Sequence, residues 1–204
     1  MFDARLRPLI DPPLNAIGRA IARAGVSANQ VTLAGAVIGV SSAVAIAERW
    51  FWLALALVIV SRVFDGLDGA VARATTKSDF GGYLDIVCDF AFYVAVPVGF
   101  GFADPANLPF ALVLVACFTV TGVSFLAFAV LAAQRGLETT AHGEKSFFYN
   151  TGMAEGAETI AFFIAMCLWP GGFRWLAAIF AVLCLVTVLQ RSFAARHVLK
   201  ADGQ

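Results

Sequence analysis

The chain has 204 residues, of which 60% are hydrophobic and 14% are charged. Soluble globular domains carry about 25% charged residues, so this composition excludes an ordinary soluble protein and predicts an integral membrane protein. The formal net charge is zero, which gives no reason to expect nucleic acid as a partner. The four cysteines stand singly in apolar runs, and this spacing predicts neither a zinc site nor a disulfide framework.

Residues 1–28 predict an N-terminal juxtamembrane segment. Three prolines and four arginines interrupt it, so it does not resemble a cleaved signal peptide. Residues 11–25 predict an interfacial amphipathic helix, with Asp11 as its N-cap and Pro12 at its first helical position. A simple juxtamembrane spacer is the alternative. The apolar stripe of the helix comprises Leu14, Ile17, Ile21 and Ala24, flanked by Arg19 and Arg23.

Residues 29–204 predict one domain of six membrane-spanning helices. Each apolar stretch is close to the ~20 residues that cross a bilayer, and short, turn-like gaps separate the stretches. Ser27 and Gln30 form a capping-box pattern at the start of the first span. The predicted spans are residues 30–48, 50–72, 82–102, 109–133, 148–169 and 175–194.

The distribution of lysine and arginine predicts the orientation of these spans. Eleven basic residues fall at one set of helix ends and only two, Arg49 and Arg174, at the other, with Arg62 inside the second span. Because basic residues accumulate on the cytoplasmic side, both termini are predicted to face the cytoplasm. The predicted fold class is therefore an all-α membrane protein, with six transmembrane helices after an interfacial helix.

Four aspartates within the second and third predicted spans are the strongest indication of function. Asp65 and Asp68 are spaced i, i+3, and Asp85 and Asp89 are spaced i, i+4, so each pair shares one helix face. An unpaired carboxylate inside a bilayer costs about 2–3 kcal/mol or more. Oxygen ligands from two helices would form a site for a hard divalent cation such as Mg²⁺ or Mn²⁺. The alternative is a buried polar network or an ion path, and Arg62 is placed to pair with Asp65.

The residues around these aspartates resemble the sequence pattern of the CDP-alcohol phosphatidyltransferases. That pattern is D-x2-D-G-x2-A-R, a gap, and then G-x3-D-x3-D, and every fixed position is filled here. The matching residues are Asp65, Asp68, Gly69, Ala72, Arg73, Gly81, Asp85 and Asp89. The resemblance covers nearly the whole chain. It implies a bacterial inner-membrane enzyme whose active site faces the cytoplasm.

The resemblance also implies the reaction, which is the transfer of a phosphatidyl group from CDP-diacylglycerol to an acceptor alcohol with release of CMP. Asp89 would be the catalytic general base on the acceptor hydroxyl. One or two Mg²⁺ or Mn²⁺ ions would be held by Asp65, Asp68, Asp85 and Asp89. The cytidine and pyrophosphate would be bound by Asp68, Gly69, Ala72, Arg73, Ser78 and Gly81. The resemblance further implies a homodimer with one active site in each protomer.

The sequence leaves the acceptor open among glycerol 3-phosphate, inositol or its phosphate, serine, phosphatidylglycerol and other alcohols. The candidate acceptor-binding residues are Arg135, Lys145, Glu155, Glu158 and Arg191. The two glutamates, beside few basic residues, favour an uncharged or amine-bearing acceptor. Two structural alternatives explain these positions about equally well. The glutamates would form hydrogen bonds with neighbouring helices, and the basic residues would be ordinary cytoplasmic charges at helix ends.

A small divalent-metal transporter is the competing function, because it would use the same four carboxylates. Transport sites lie near the middle of the membrane, whereas the predicted spans place these acids near the cytoplasmic ends of their helices. An inactive scaffold is disfavoured by the complete sequence pattern. The sequence therefore favours the enzyme.

Overall fold

A computed structural model describes residues 3–135 and 156–200, and this part of the chain is all-helical. Short 3₁₀ turns at Pro105–Asn107 and Pro170–Gly172 precede the fifth and last helices. The helices are α1 (Asp3–Arg23), α2 (Ala28–Ala47), α3 (Phe51–Ala74), α4 (Asp79–Ala103), α5 (Leu108–Gln134), α6 (Gly156–Leu168) and α7 (Phe173–Lys200). The prediction of an all-α protein is confirmed.

Four stretches of the described chain are long and apolar enough to cross a membrane. They are Ala28–Ala47, Asp79–Ala103, Pro105–Gln134 and Pro170–His197. The remaining two predicted spans correspond to α3, which carries the charged residues of the acid-rich segment, and to α6, which is described for only 13 residues. Residues 148–155 of the fifth predicted span lie outside the described residues. The six-span arrangement stays a prediction.

The N-terminal helix differs from its prediction in where it begins. Helix α1 starts at Asp3, so Asp11 lies in its middle and is not an N-cap, and Pro12 is not at its first position. Pro12 and Pro13 are exposed, and each lacks the N–H that would donate a helical hydrogen bond. Proline therefore marks an exposed face of this helix and not its start. The capping box of Ser27 and Gln30 is confirmed at the start of α2.

Small residues on α2 let three helices pack closely. Gly35 and Gly39 face α3, where a Cβ at Gly35 would lie 2.8 Å from the Cβ of Phe64 and a Cβ at Gly39 would lie 2.6 Å from Ser61 Oγ. Ser61 donates a hydrogen bond of 2.9 Å to the Gly35 carbonyl oxygen. These contacts bind α3 to α2 along the face that also carries the acidic residues.

The main hydrophobic core lies at the end of the helices away from the aspartates. It is built from the C-terminal parts of α2, α4 and α6 and the N-terminal parts of α3, α5 and α7. Stacked rings join these helices, with the Phe100 and Phe173 centroids 4.5 Å apart and the Phe162 and Phe180 centroids 4.5 Å apart. A second, smaller cluster of Val31, Leu67 and Val71 joins α2 and α3 under α1. The acidic residues lie between these two clusters.

Substitution of Gly99 tests the close contact between α4 and α2. A Cβ at Gly99 would lie 2.5 Å from the Ala43 carbonyl oxygen and 3.0 Å from its Cα, and backbone atoms cannot move aside as a side chain can. We expect Gly99→Ala to destabilise the protein by about 1–3 kcal/mol, as overpacking does. The measurement is the thermal unfolding temperature of the detergent-purified protein. Gly171→Ala is the control, because a Cβ there meets nothing within 4 Å, and equal stability of the two variants would contradict the prediction.

Candidate active site

The second and third predicted spans bring three of the four aspartates together. Carboxylate oxygens of Asp65, Asp85 and Asp89 all lie within 4.8 Å of one another. Residues 75–78 turn the chain from α3 into α4, and Ser78 caps α4 by accepting a hydrogen bond of 3.0 Å from the Gly81 amide. The C-terminal half of α3 therefore faces the N-terminal half of α4, which places the two pairs of carboxylates opposite each other.

Asp68 is held apart from this group by a neighbouring helix. It is buried, with 7% of its surface exposed, and accepts a hydrogen bond of 2.7 Å from Thr32 Oγ1 on α2. The same carboxylate lines both the small cleft that contains the other three aspartates and the larger cavity beside it. Asp85 lines both as well, so these two residues form the boundary between the cleft and the cavity.

Arg62 provides the positive charge within the acid cluster. Its Nη1 donates a hydrogen bond of 2.7 Å to Asp89 Oδ1 and lies 3.4 Å from Asp65 Oδ1. The sequence predicted pairing with Asp65 alone. The closer partner is Asp89, which sequence spacing could not indicate because it lies on the next helix. The guanidinium also packs over Phe92, with its Cζ 4.3 Å from the ring centroid.

A cavity of about 310 Å³ is lined by the residues that the sequence analysis assigned to the cytidine and pyrophosphate. It lies between the start of α2, the end of α3 and the start of α4. All the residues assigned to the donor nucleotide line it, together with Asn29, Thr32 and Lys77. The assigned residues are Asp68, Gly69, Ala72, Arg73, Ser78 and Gly81. The short side chains on α3 leave its backbone accessible from the cavity, while Arg73 and Lys77 give the cavity positive charge.

Helix α1 positions the arginine of this cavity. Asn15 Oδ1 accepts hydrogen bonds from Arg73 Nε at 3.2 Å and from Arg73 Nη2 at 3.0 Å. Close packing supports the contact, since a Cβ at Gly18 would lie 2.7 Å from the Ala70 Cβ. Sequence analysis missed Asn15 and Thr32. Thr32 stands in the residues 27–32 that open α2, but Asn15 lies in α1, outside the pattern, and only the fold connects it to Arg73.

The structure describes three of the five candidate acceptor residues. Arg191 on α7 donates a hydrogen bond of 3.2 Å to the Thr121 carbonyl oxygen on α5 and lies over Phe125, 5.4 Å from the ring centroid. Glu158 is in the first turn of α6 and Arg135 directly follows α5. Lys145 and Glu155 lie outside the described residues.

Tyr93 connects the acid cluster to the start of α6. It is one helical turn after Asp89 on α4, and a Cβ at Gly156 would lie 3.8 Å from its hydroxyl oxygen. Its ring packs against Phe90 and Phe118, with centroids 6.1 Å and 6.2 Å away. The structure thus places the helix that carries Glu158 next to the helix that carries Asp89. The sequence analysis did not identify Tyr93, because a tyrosine in an aromatic-rich span has no distinguishing pattern.

The acid cluster has the chemistry of a site for a hard divalent cation. Mg²⁺ and Mn²⁺ prefer carboxylate oxygens. Those of Asp65, Asp85 and Asp89 lie within 4.8 Å of one another, so one ion could bind all three residues. A neighbouring cavity with positive charge suits a phosphate-bearing ligand. The arrangement is therefore suited to chemistry on a phosphate held between the cavity and the cluster.

Comparison with known proteins identifies the family. The family model for CDP-alcohol phosphatidyltransferase matches residues 26–201. Inner membrane protein YnjF of Escherichia coli K12 is 41% identical over 202 residues, covering 98% of each chain. Phosphatidylinositol phosphate synthase of Mycobacteroides abscessus is 29% identical over 197 residues, covering 89% of this chain and 83% of the relative.

Solved structures show the same fold. The phosphatidylinositol phosphate synthase PgsA1 of Mycobacterium tuberculosis with CDP-DAG bound superposes with a TM-score of 0.66 at 22% identity, covering 89% of this chain and 92% of that one. Its complex with manganese and citrate gives the same TM-score and identity, covering 89% and 88%. The family predicted from the eight-residue pattern is confirmed: the chain belongs to the CDP-alcohol phosphatidyltransferase family and is a transferase of phospholipid biosynthesis.

Proposed function

We propose that this enzyme transfers a phosphatidyl group from CDP-diacylglycerol to an acceptor alcohol, in a reaction that depends on a divalent metal and releases CMP. The cavity of about 310 Å³ is called the donor cavity. The observation that carries the proposal is the convergence of Asp65, Asp85 and Asp89 at its edge, where Asp85 also lines it. This arrangement puts the acid cluster next to the place where a bound pyrophosphate would lie.

The donor cavity supports CDP-diacylglycerol as the donor. Arg73, fixed by Asn15, offers a guanidinium to a phosphate, and Gly69 permits close approach to the backbone of α3. The cavity lies at the cytoplasmic helix ends that the basic residues predict, so the nucleotide would bind in water while acyl chains extend along the apolar helices. The solved relative with CDP-DAG bound supports the same donor.

The acid cluster supports a requirement for Mg²⁺ or Mn²⁺. Asp65, Asp85 and Asp89 would hold the ion, and Asp68 would contribute from the boundary with the cavity. When bound, the metal supplies positive charge that stabilises the charge developing on the transferred phosphoryl group. A relative has been solved with manganese, which supports a divalent ion without choosing between the two metals.

Asp89 is the proposed general base. Its Oδ1 accepts the hydrogen bond from Arg62, and its second oxygen, Oδ2, would accept the proton of the acceptor hydroxyl. The acceptor oxygen then forms a bond to the phosphorus next to the diacylglycerol. The bond from that phosphorus to the bridging oxygen of the pyrophosphate breaks, and CMP leaves with that oxygen through the donor cavity. The proton on Asp89 passes to solvent.

The acceptor would enter on the side of α5, α6 and α7. Arg191 supports an acceptor that carries phosphate, and the relative named phosphatidylinositol phosphate synthase supports the same class. Glu158 supports the other class predicted from the sequence, an uncharged or amine-bearing alcohol. We infer that a phosphorylated polyol is the first acceptor to test and that serine or unphosphorylated inositol is the second.

The membrane arrangement is part of the proposal. We infer six spans formed by α2 to α7 in a bacterial inner membrane, an interfacial segment before residue 29, and both termini and the active site on the cytoplasmic side. The exposed tryptophans Trp50, Trp52, Trp169 and Trp175 lie at the ends of helices away from the acids, where an interfacial belt would form. The family match begins at residue 26, after α1 ends, which supports a boundary between the N-terminal segment and the membrane domain near residue 28. A homodimer stays a prediction.

The reaction is tested by CMP release from detergent-purified protein with CDP-diacylglycerol and a panel of acceptors, with and without Mg²⁺ or Mn²⁺. We expect metal-dependent release with one acceptor class. Asp89→Asn should lower kcat by at least about 100-fold, since general-base catalysis contributes 10²–10⁴-fold. Asp79→Asn, an exposed aspartate of the same helix, is the matched control and should stay within twofold of the wild type.

An unchanged rate in Asp89→Asn would exclude Asp89 as the base. Metal uptake into proteoliposomes by a protein that releases no CMP with any acceptor would favour the transporter and contradict the proposed function.

The contribution of α1 is tested at Asn15. Asn15→Ala removes the acceptor of two Arg73 hydrogen bonds, and bonds to a charged group contribute about 1.5–3 kcal/mol. We expect the KM for CDP-diacylglycerol to rise about tenfold with kcat little changed. Asn15→Gln keeps an amide oxygen as acceptor without adding a charge and should raise the KM less than Asn15→Ala does. An equal rise of KM in both variants would show that Asn15 does not act through Arg73.

A further inference from the structure

We propose that Arg62 is a resident cation of the acid cluster, which competes with the divalent metal for Asp65 and Asp89 and thereby sets the metal affinity of the enzyme. This inference rests on the proposed function, because it concerns the metal that the same carboxylates would hold. Arg62 does not belong to the eight-position pattern of the family described above. It is a positioning residue that acts through the two aspartates.

The distances show that Arg62 contacts carboxylate oxygens of two of the three aspartates that would bind a metal. Nη1 is 2.7 Å from Asp89 Oδ1 and 3.4 Å from Asp65 Oδ1. A metal coordinated by an aspartate oxygen lies about 2.0–2.2 Å from it. An ion on Asp89 Oδ1 could therefore be no farther than about 5 Å from Nη1. Two cations that close repel each other strongly in a partly buried site, so metal binding there requires the guanidinium to withdraw.

The surroundings of Arg62 hold its charge in the cluster without saturating the guanidinium. Its side chain is 16% exposed, its Nη2 donates a hydrogen bond of 3.1 Å to Ser61 Oγ, and Phe92 covers one face. Its buried Nε has no hydrogen-bond acceptor among the described residues. A permanent structural ion pair would be expected to satisfy this donor. The incomplete set of bonds fits a side chain that releases its carboxylates when a stronger cation binds.

Charge balance gives Arg62 a reason to be there. Asp65, Asp85 and Asp89 carry three negative charges when ionised, and Arg62 offsets one of them as long as no metal is bound. Without Arg62, the metal-free site would hold three carboxylates within 4.8 Å of one another with no cation contacting them among the described side chains. Arg62 thus stabilises the metal-free site and weakens the binding of metal to it.

The experiment compares Mn²⁺ binding to wild-type protein, Arg62→Gln and Arg62→Lys, by electron paramagnetic resonance of free Mn²⁺ in detergent without substrate. We expect Arg62→Gln to bind Mn²⁺ at least tenfold more tightly than the wild type. Arg62→Lys keeps the charge and should stay within threefold. Arg174→Gln, an exposed arginine at the start of α7, is the control and should not differ from the wild type.

Thermal unfolding separates this role from a merely structural one. We expect Arg62→Gln to unfold at a lower temperature than the wild type in EDTA, and Mn²⁺ to raise its unfolding temperature by more than it raises that of the wild type. An equal loss of stability with and without Mn²⁺ would show that Arg62 only supports the fold and would overturn the inference.

The binding data distinguish this inference from the proposed function. Mn²⁺ affinity in Arg62→Gln equal to or weaker than that of the wild type overturns the role of Arg62 and leaves the metal-dependent reaction standing. Mn²⁺ bound by Arg62→Gln but not by the wild type supports the competition. Absence of Mn²⁺ binding in both proteins would overturn the metal-dependent reaction, and the inference with it.

Discussion

The structure depends on how three carboxylates are kept together among apolar helices. Asp65, Asp85 and Asp89 repel one another and have lost part of their hydration, so they are held only because the surrounding helices are fixed by other contacts. Ser61 joins α3 to α2 through the Gly35 carbonyl, and the four-residue turn joins α3 to α4. Arg62 then supplies the opposite charge at the place where the two helices face each other. Together these contacts fix the two helices that carry the acids.

The hydrophobic core is placed so that it provides this rigidity without filling the site. It occupies the ends of α2 to α7 away from the acids, where stacked phenylalanine rings tie the helices together. At the other end, α1 packs across α3 through Gly18 and covers a small cluster that includes Leu67 and Val71. The helices are therefore anchored on both sides of the site, and the space between the anchors is left for polar chemistry and a bound nucleotide.

How much the sequence could predict depends on whether the relevant contacts are local. The aspartates, the donor-site residues and the capping box follow fixed spacings within one or two helices, so a pattern finds them. Helix spans were predicted to within a few residues where apolar runs end in turns, but the start of α1 was wrong because exposed prolines are tolerated inside it. Contacts between helices, such as Arg62 with Asp89 and Asn15 with Arg73, have no local spacing to reveal them.

The same distinction separates donor recognition from acceptor recognition. The proposed donor cavity is made by α2, α3 and α4 with α1 beside them, all within a compact set of helices joined by short turns. The acceptor candidates are spread over α5, α6 and α7, and Tyr93 on α4 is one of the residues through which the described chain brings the two groups into contact. Such a division lets the donor chemistry stay fixed while the side chains on the later helices change. A family that uses one donor chemistry for several acceptor alcohols would be expected to vary its sequence there, which is why the reaction class is readable from this chain and the acceptor is not.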